Sequence, residues 1–258
     1  MDPVANRNRD AWDRQVELSN PWTQPVSPAV IANARRGEWS VKLTNTTPVP
    51  RAWFPEHMAG TRILALASGG GQQAPVLAAA GADVTVLDAS PRQLDQDRLV
   101  AKREGLALRV EEGDMRDLSR FPDACFDIVF NPVSVIFVPD VAPVFRECHR
   151  VLKPGGHLLA GFCNPHTYLF DREKEADGVL EVAHALPFAD TSIPEKKRLA
   201  LFGPDAPLEF SHTLGALIGG QIAGGFRIVG FYDDRFGDAT AVDKAMFGLF
   251  ATHAEKPL

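Results

Sequence analysis

Three consecutive glycines follow a serine in SGGGQQ, residues 68–73, directly after the apolar run ILALA at 63–67. Glycine lets a backbone turn sharply and approach a ligand with no Cβ in the way. The helix expected next presents free N–H groups at its start. Such a loop suits a nucleotide-like ligand. Gly69-Gly70-Gly71 with Ala74 also fits the G-x-G-x-x-A pattern of dinucleotide sites, and a structural tight turn is the plain alternative. Asp88 ends DVTVLD, residues 83–88, about twenty residues further on, the spacing at which a carboxylate accepts from two ribose hydroxyls. Its other possible role, capping the next helix, is one that Ser90 already suits. Gly113-Asp114-Met115 follows a third extended run, where a carboxylate can take an adenine amino proton while an apolar side chain packs on the ring. Asn131-Pro132 closes FDIVFN, residues 126–131. Gly, Asp, Asp and Asn at four successive strand ends describe one crevice.

The elements that hold these residues follow from the rhythm of the chain after Arg62, where short apolar runs alternate with helical segments. That alternation implies a parallel sheet with helices on its faces. Strands are expected at 63–67, 83–88, 107–114, 126–131 and 157–163, and helices at 71–81, from Ser90-Pro91 to Glu104, and from Asp140 to Leu152. Lys153-Gly156 reads as a turn. Two further strands, 226–234 and 247–254, read as joined by a loop. Between Asn164 and residue 210 the pattern loosens into mixed charge and proline, an insertion or lid. Residues 1–60 form a helical and loop cover. Within it Ser27, Pro28 and Gly37 bracket a short helix, and the prolines of Ser40–Pro55 predict an ordered loop. The fold class is therefore α/β, a Rossmann-like doubly wound sheet of seven mostly parallel strands with an antiparallel last strand, spanning 61–258.

The 258 residues carry a formal net charge of −6 and no basic run, which argues against a surface that neutralises phosphates, hence against nucleic-acid partners. Cys125, Cys148 and Cys163 show no CxxC spacing, so neither a disulfide framework nor a metal site is read, and a reducing cytoplasm fits. No apolar run approaches the roughly 18 residues of a membrane span. No signal of oligomeric state is present.

RILALASGGG, VLDAS, GDMRDL, FDIVFN and RVLKPGG, in this order and spacing, resemble the successive motifs of class I S-adenosylmethionine-dependent methyltransferases over residues 60–163. The resemblance implies S-adenosylmethionine as cofactor, and the acidic net charge with the apolar stretch VSVIFV, residues 133–138, argues for a small-molecule methyl acceptor. The resemblance also implies that Ser68, Gly69, Gly70 and Gly71 wrap the methionine portion, with Ala67 beside them, and that Asp88 and Ala89 hold the ribose. Gly113, Asp114, Met115 and Leu94 would surround the adenine, with Asn131 and Pro132 on the sulfonium side. The sequence departs from the family at Ala65, where an acidic residue is usual, at Ala67, where the first glycine of the loop is usual, and at Phe137, which occupies a histidine position. If a general base exists, His212 is the first candidate and His166 the second, because histidine titrates near neutral pH; a capping or surface role is the alternative for both.

Trp12, Trp22, Trp39 and Trp53 either cover the site or pack the lead segment onto the sheet. Asn45 and Arg51 are polar candidates in that segment. A nicotinamide-dependent oxidoreductase shares the glycine loop and Asp88 but needs a hydride-transfer acid such as a Tyr/Lys pair, and Tyr168 and Tyr232 sit in no such arrangement. A non-catalytic S-adenosylmethionine-binding protein is the second alternative.

Overall fold

The computed structural model describes residues 2–258. Seven strands form one sheet: β1 Arg62–Leu66, β2 Asp83–Asp88, β3 Leu108–Glu112, β4 Phe126–Asn131, β5 Leu152–Cys163, β6 Arg227–Asp234 and β7 Leu249–Glu255. Their spatial order is β3-β2-β1-β4-β5-β7-β6. β1 to β5 pair in parallel, and β7 runs antiparallel to both of its neighbours. The order reverses beside β1, which pairs with β2 on one side and β4 on the other, and ligands of such sheets sit outside the strand ends at that reversal.

Alternate residues feed two cores. In β1, Ile63 and Ala65 join Val84, Val86, Phe130 and Leu77 on one face, while Leu64 and Leu66 join Val129, Phe145 and Leu158 on the other. Strands buried on both faces read as continuous apolar runs, which is why these segments are visible in sequence. Helices α1 Pro3–Glu17, α2 Pro28–Arg35, α3 Gln73–Ala79, α4 Pro91–Glu104 and α5 Ala142–Val151 flank the sheet. Local chemistry sets their limits. Ser27 and Ser90 cap α2 and α4 at Val30 N and Gln93 N, proline follows each cap, and Gly105 closes α4 at φ 63°.

Most expected bounds hold to within two residues, and the larger departures are these. β5 begins at Leu152, so Lys153-Gly156 is a bulge within the strand and not a free turn. The loop between β6 and β7 contains a further helix. The lead segment also contains the fifteen-residue helix α1, capped by Asp2, which accepts from Ala5 N at 2.8 Å. Only Asn8 and Ala11 of α1 are buried, so it lacks the apolar stripe that announces a helix. The 164–210 segment holds α6 Arg172–Ala176 and α7 Glu195–Phe202, followed by α8 Gly220–Ala223 and then α9 Ala241–Ala245 in the β6–β7 loop. No helix among the described residues is long and apolar enough to cross a membrane.

Two polar sutures fix the loose segments. Buried Asn8 donates from Nδ2 to the carbonyls of Phe137 (2.8 Å) and Leu208 (3.0 Å), and its Oδ1 accepts from Leu208 N (2.7 Å). The buried Asp234 carboxylate accepts from the backbone N–H of Thr46 (2.8 Å) and Thr47 (3.0 Å), from Thr47 Oγ1 (2.8 Å) and from the Thr46 hydroxyl. Burial alone would raise this carboxyl, but the donors of Thr46 and Thr47 outweigh it and hold the group well below the usual carboxylate range.

Asn8→Ala removes three hydrogen bonds of about 1 kcal/mol each. The expected loss is ~2–3 kcal/mol in denaturant unfolding, with earlier proteolytic cleavage within 164–210; an unchanged variant would refute the suture. Asp234→Ala is expected to cost about 1.5–3 kcal/mol at neutral pH. Because the folded carboxyl is depressed, its contribution is full above the unfolded value near ~3.9 and is lost as pH falls below it. The deficit measured by denaturation should therefore shrink between pH ~4 and ~2, and a deficit constant over that range would contradict the assignment.

Candidate active site

Beyond the ends of β1 to β4 lies a crevice of about 940 Å³. Its floor is made by the strand ends. Its walls and roof come from α1, the Lys42–Asn45 loop and the 203–209 stretch. The glycine loop enters from β1 through Ala67, whose φ of +46° places a non-glycine residue in the left-handed region where glycine is usual. Its N–H donates to Leu87 O at 2.7 Å, tying the bend to β2. Gly69 N then donates to Asp88 Oδ2 at 3.0 Å. Gly70 N is shared between Gln93 O at 3.0 Å and the buried Asp97 Oδ2 at 3.1 Å.

Closeness demands the glycines. A Cβ on Gly69 would come within 2.7 Å of Gln93 Cβ, and one on Gly70 within 2.9 Å of Trp22 O. Val26 N donates to Gly71 O at 2.9 Å. The lead segment thus lies over Gly70 and Gly71. Ala67, Ser68, Gly69, Gln72 and Gln73 line the crevice, whereas Gly70 and Gly71, expected to wrap the methionine portion, lie outside its lining. Ser68 Oγ and Gln93 Oε1 are both buried at the crevice wall and have no hydrogen-bond partner among the described residues.

Asp88 and Ala89 line the crevice. Burial raises the Asp88 carboxyl, opposed by the N–H groups of Ser90 and Gly69. Ser90 takes the capping role and donates to Asp13 Oδ1 of α1 at 2.6 Å. Burial raises Asp97 well above its ordinary value, with the Asp88 charge adding to the effect. Gly113, Asp114 and Met115 line the crevice too, yet the Asp114 carboxylate already pairs with Arg116, at 2.5 Å from Nη2 and 3.0 Å from Nε. Arg116 reaches on to Asp2 at 2.7 Å, pinning the start of α1 to this corner.

Other expected residues fall elsewhere. Leu94 is fully buried in the core between α4 and the sheet, and its neighbour Gln93 faces the loop; one residue turns the side chain by about 100° around the helix. Asn131 is buried and donates to Leu66 O (2.8 Å) and Ser134 Oγ (2.7 Å), so it fastens the end of β4 to β1, while Pro132 lines the crevice. His212 is buried outside the crevice lining with Nε2 2.9 Å from Val135 O, and burial lowers its pKa; it buttresses the turn after β4 instead of facing a substrate. His166 is exposed beside Asn164 and also lies outside the lining.

The tryptophans divide. Trp12 meets Phe137 edge-on at 5.3 Å, and both line the crevice with the half-exposed Trp22. Trp39 packs on Phe54, and Trp53 on Tyr232 and His253. Asn45 lines the crevice and donates to Phe236 O at 3.2 Å. Arg51 lies over Trp39 and donates to the carbonyls of Pro55 and Glu56, away from the crevice. Ala65 is wholly buried and contributes nothing to the lining. Sequence reasoning missed Asn8, Arg9 and Gln15 of α1, and Arg172 and Glu209 of the insertion, all of which line the crevice. Tyr168, read earlier only for its lack of a lysine partner, lines it as well, and its hydroxyl donates to Glu209 Oε2 at 2.7 Å.

The profile of a methyltransferase domain family matches residues 64–160. The uncharacterized methyltransferase YbaJ of Bacillus subtilis (strain 168) is 48% identical over 238 residues, 92% of this chain and 93% of that protein. A ubiquinone biosynthesis O-methyltransferase of Acinetobacter baylyi is 32% identical over 134 residues, so the chain matches 56% of that relative's length. Among solved structures, an S-adenosylmethionine dependent methyltransferase from Mesorhizobium loti superposes with a TM-score of 0.62 at 22% identity, covering 80% of this chain and 94% of that one. The [4+2]-cyclase SpnF superposes with 0.59 at 18% identity over 97% of both chains, so shared architecture alone does not fix the chemistry. Motif order, sheet topology and the near full-length relative agree: the chain belongs to the class I S-adenosylmethionine-dependent methyltransferases.

Proposed function

We propose that this protein transfers a methyl group from S-adenosylmethionine to a small-molecule acceptor held in the same roofed crevice. The observation that carries this reading is the crevice itself. Its volume of about 940 Å³ lies at the upper end of the ~300–1,000 Å³ typical of ligand sites, which suits a cofactor and an acceptor side by side. The cofactor end fits the residues present. Ser68 Oγ and Gln93 Oε1 are buried polar atoms lacking a partner among the described residues, and a ligand bearing amino and hydroxyl groups satisfies them. On this reading Ala67, Ser68 and Gly69 border the methionine portion, Asp88 and Ala89 the ribose, Gly113, Asp114 and Met115 the adenine, and Pro132 the sulfonium side.

When bound, the cofactor supplies an electrophilic methyl on a sulfonium. The chain's own contribution is orientation and the exclusion of water, which lower the barrier of an in-line displacement. Val133, Ile136, Phe137 and Val138 give the crevice an apolar wall beyond β4, and Trp12 closes over it. A net charge of −6 and a roofed site support a small acceptor over a nucleic acid. Three free and buried thiols support a reducing cytoplasm as its setting. Against the oxidoreductase alternative stands Tyr168, whose hydroxyl is committed to a carboxylate. Against a merely binding protein stands the open, polar and aromatic second half of the crevice.

Calorimetric titration is expected to show S-adenosylmethionine binding and no NADH binding. Asp88→Ala should weaken the former at least ~10-fold, or about 1.4 kcal/mol. Binding of NADH, or unaltered affinity in the variant, would overturn the reading.

A further inference from the structure

Three consecutive backbone N–H groups in the strip 208–210 are tied to three different elements. Leu208 N donates to Asn8 Oδ1 of α1 at 2.7 Å, Glu209 N to Asp190 Oδ2 at 3.0 Å, and Phe210 N to Ile136 O in the turn after β4 at 2.8 Å. The strip is thereby a fixed ledge, and the Glu209 side chain extends from it into the crevice. There Glu209 Oε2 accepts from the buried Tyr168 hydroxyl at 2.7 Å. Tyr168 is held in turn by its stacking on Phe188 at 5.9 Å and by the Arg172 guanidinium 5.8 Å from its ring. Among the described residues, Glu209 Oε1 has no hydrogen-bond partner and no cation lies within ion-pair distance. Next to the pair, Cys163 is no competitor: burial chiefly, with the Glu209 charge adding, pushes its thiol up to about 11. Both histidines considered as bases lie outside the crevice lining. A carboxylate on a rigid ledge, with one oxygen fixed by a tyrosine, in a crevice also lined by aromatic Trp12, Phe137 and Phe202, is built to meet a protic group on an apolar body.

We infer that Glu209 is the catalytic residue that takes the proton of a hydroxyl acceptor, with Tyr168 as its positioning residue, so that the acceptor is an aromatic or otherwise apolar hydroxyl compound. This rests on the methyl-transfer reading above. The step balances: the acceptor O–H proton passes to Glu209 Oε1, the oxygen lone pair forms the new O–CH3 bond, and the C–S bond breaks with its electrons remaining on sulfur. A neutral amine or a thiolate attacks without such a base; a hydroxyl gains most from one.

The test measures transfer of labelled methyl from S-adenosylmethionine to catechol, hydroquinone, 4-hydroxybenzoate, aniline, benzylamine and thiophenol, alongside calorimetric binding of the cofactor. The expected result is transfer to at least one hydroxyl member, lowered at least ~100-fold in kcat by Glu209→Gln, with cofactor Kd within about twofold of the unsubstituted protein. Tyr168→Phe should lower kcat less while leaving the cofactor Kd and the acceptor KM within about twofold, because the carboxylate is mispositioned and the crevice is otherwise intact; loss of a merely structural tyrosine would raise KM and Kd together. Cofactor binding with no transfer to any hydroxyl member, or full transfer by folded Glu209→Gln, overturns the inference while the methyl-transfer reading stands. Absence of cofactor binding overturns that reading and this one with it.

Discussion

The rest of the site depends on two carboxylates that hold the glycine loop from beneath. Asp88, at the end of β2, accepts Gly69 N, and Asp97, one helix face further along α4, accepts Gly70 N. Both are raised by burial, so their retention costs folding free energy that an apolar pair would not. The loop in return is drawn so close to α4 that side chains at these positions have no room. The N–H groups of the loop are then fixed before any ligand arrives. A loop organised in this way spends little further entropy on binding.

The roof over this floor is sewn on by polar contacts more than by burial. α1 brings only Asn8 and Ala11 into the interior, yet it is fastened by polar ties spread along its length. Asp2 meets Arg116 beside Asp114, Asn8 bridges Phe137 to Leu208, and Asp13 accepts from Ser90 and Arg92 N at the start of α4. The last contact places a carboxylate at a helix N-terminus, where exposed N–H groups favour negative charge. A cover held by hydrogen bonds can open locally at less cost than one held by a large apolar interface, and covers of this kind admit and enclose ligands.

Most of the floor was legible in the sequence and most of the roof was not. β2, β4 and α4 coincide with the expected segments because their signals are local: apolar runs, a serine cap with proline behind it, and a glycine at the end. Leu94 and Asn131 show the limit of that reasoning. Each lies on the expected element, but a helix turn or a strand-end side chain sends it into the core instead of the crevice. His212 was attractive for its titration range, whereas its position behind the turn after β4 depends on contacts across 77 residues of chain. Glu209 carries no motif at all, and Arg116 stands inside GDMRDL with nothing in that motif to announce its reach to Asp2. Their roles arise from ties between distant segments, which spacing along one chain does not reveal.

The most direct test of this crevice as the cofactor site is a crystal structure of the protein with S-adenosylhomocysteine bound. The ribose hydroxyls are expected on the Asp88 carboxylate, the adenine between Gly113 and Met115, and the amino acid portion against Ser68 and Gly69, with Leu94, Asn131 and His212 making no contact. A ligand seated elsewhere, or in this crevice with Asp88 unengaged, would contradict it.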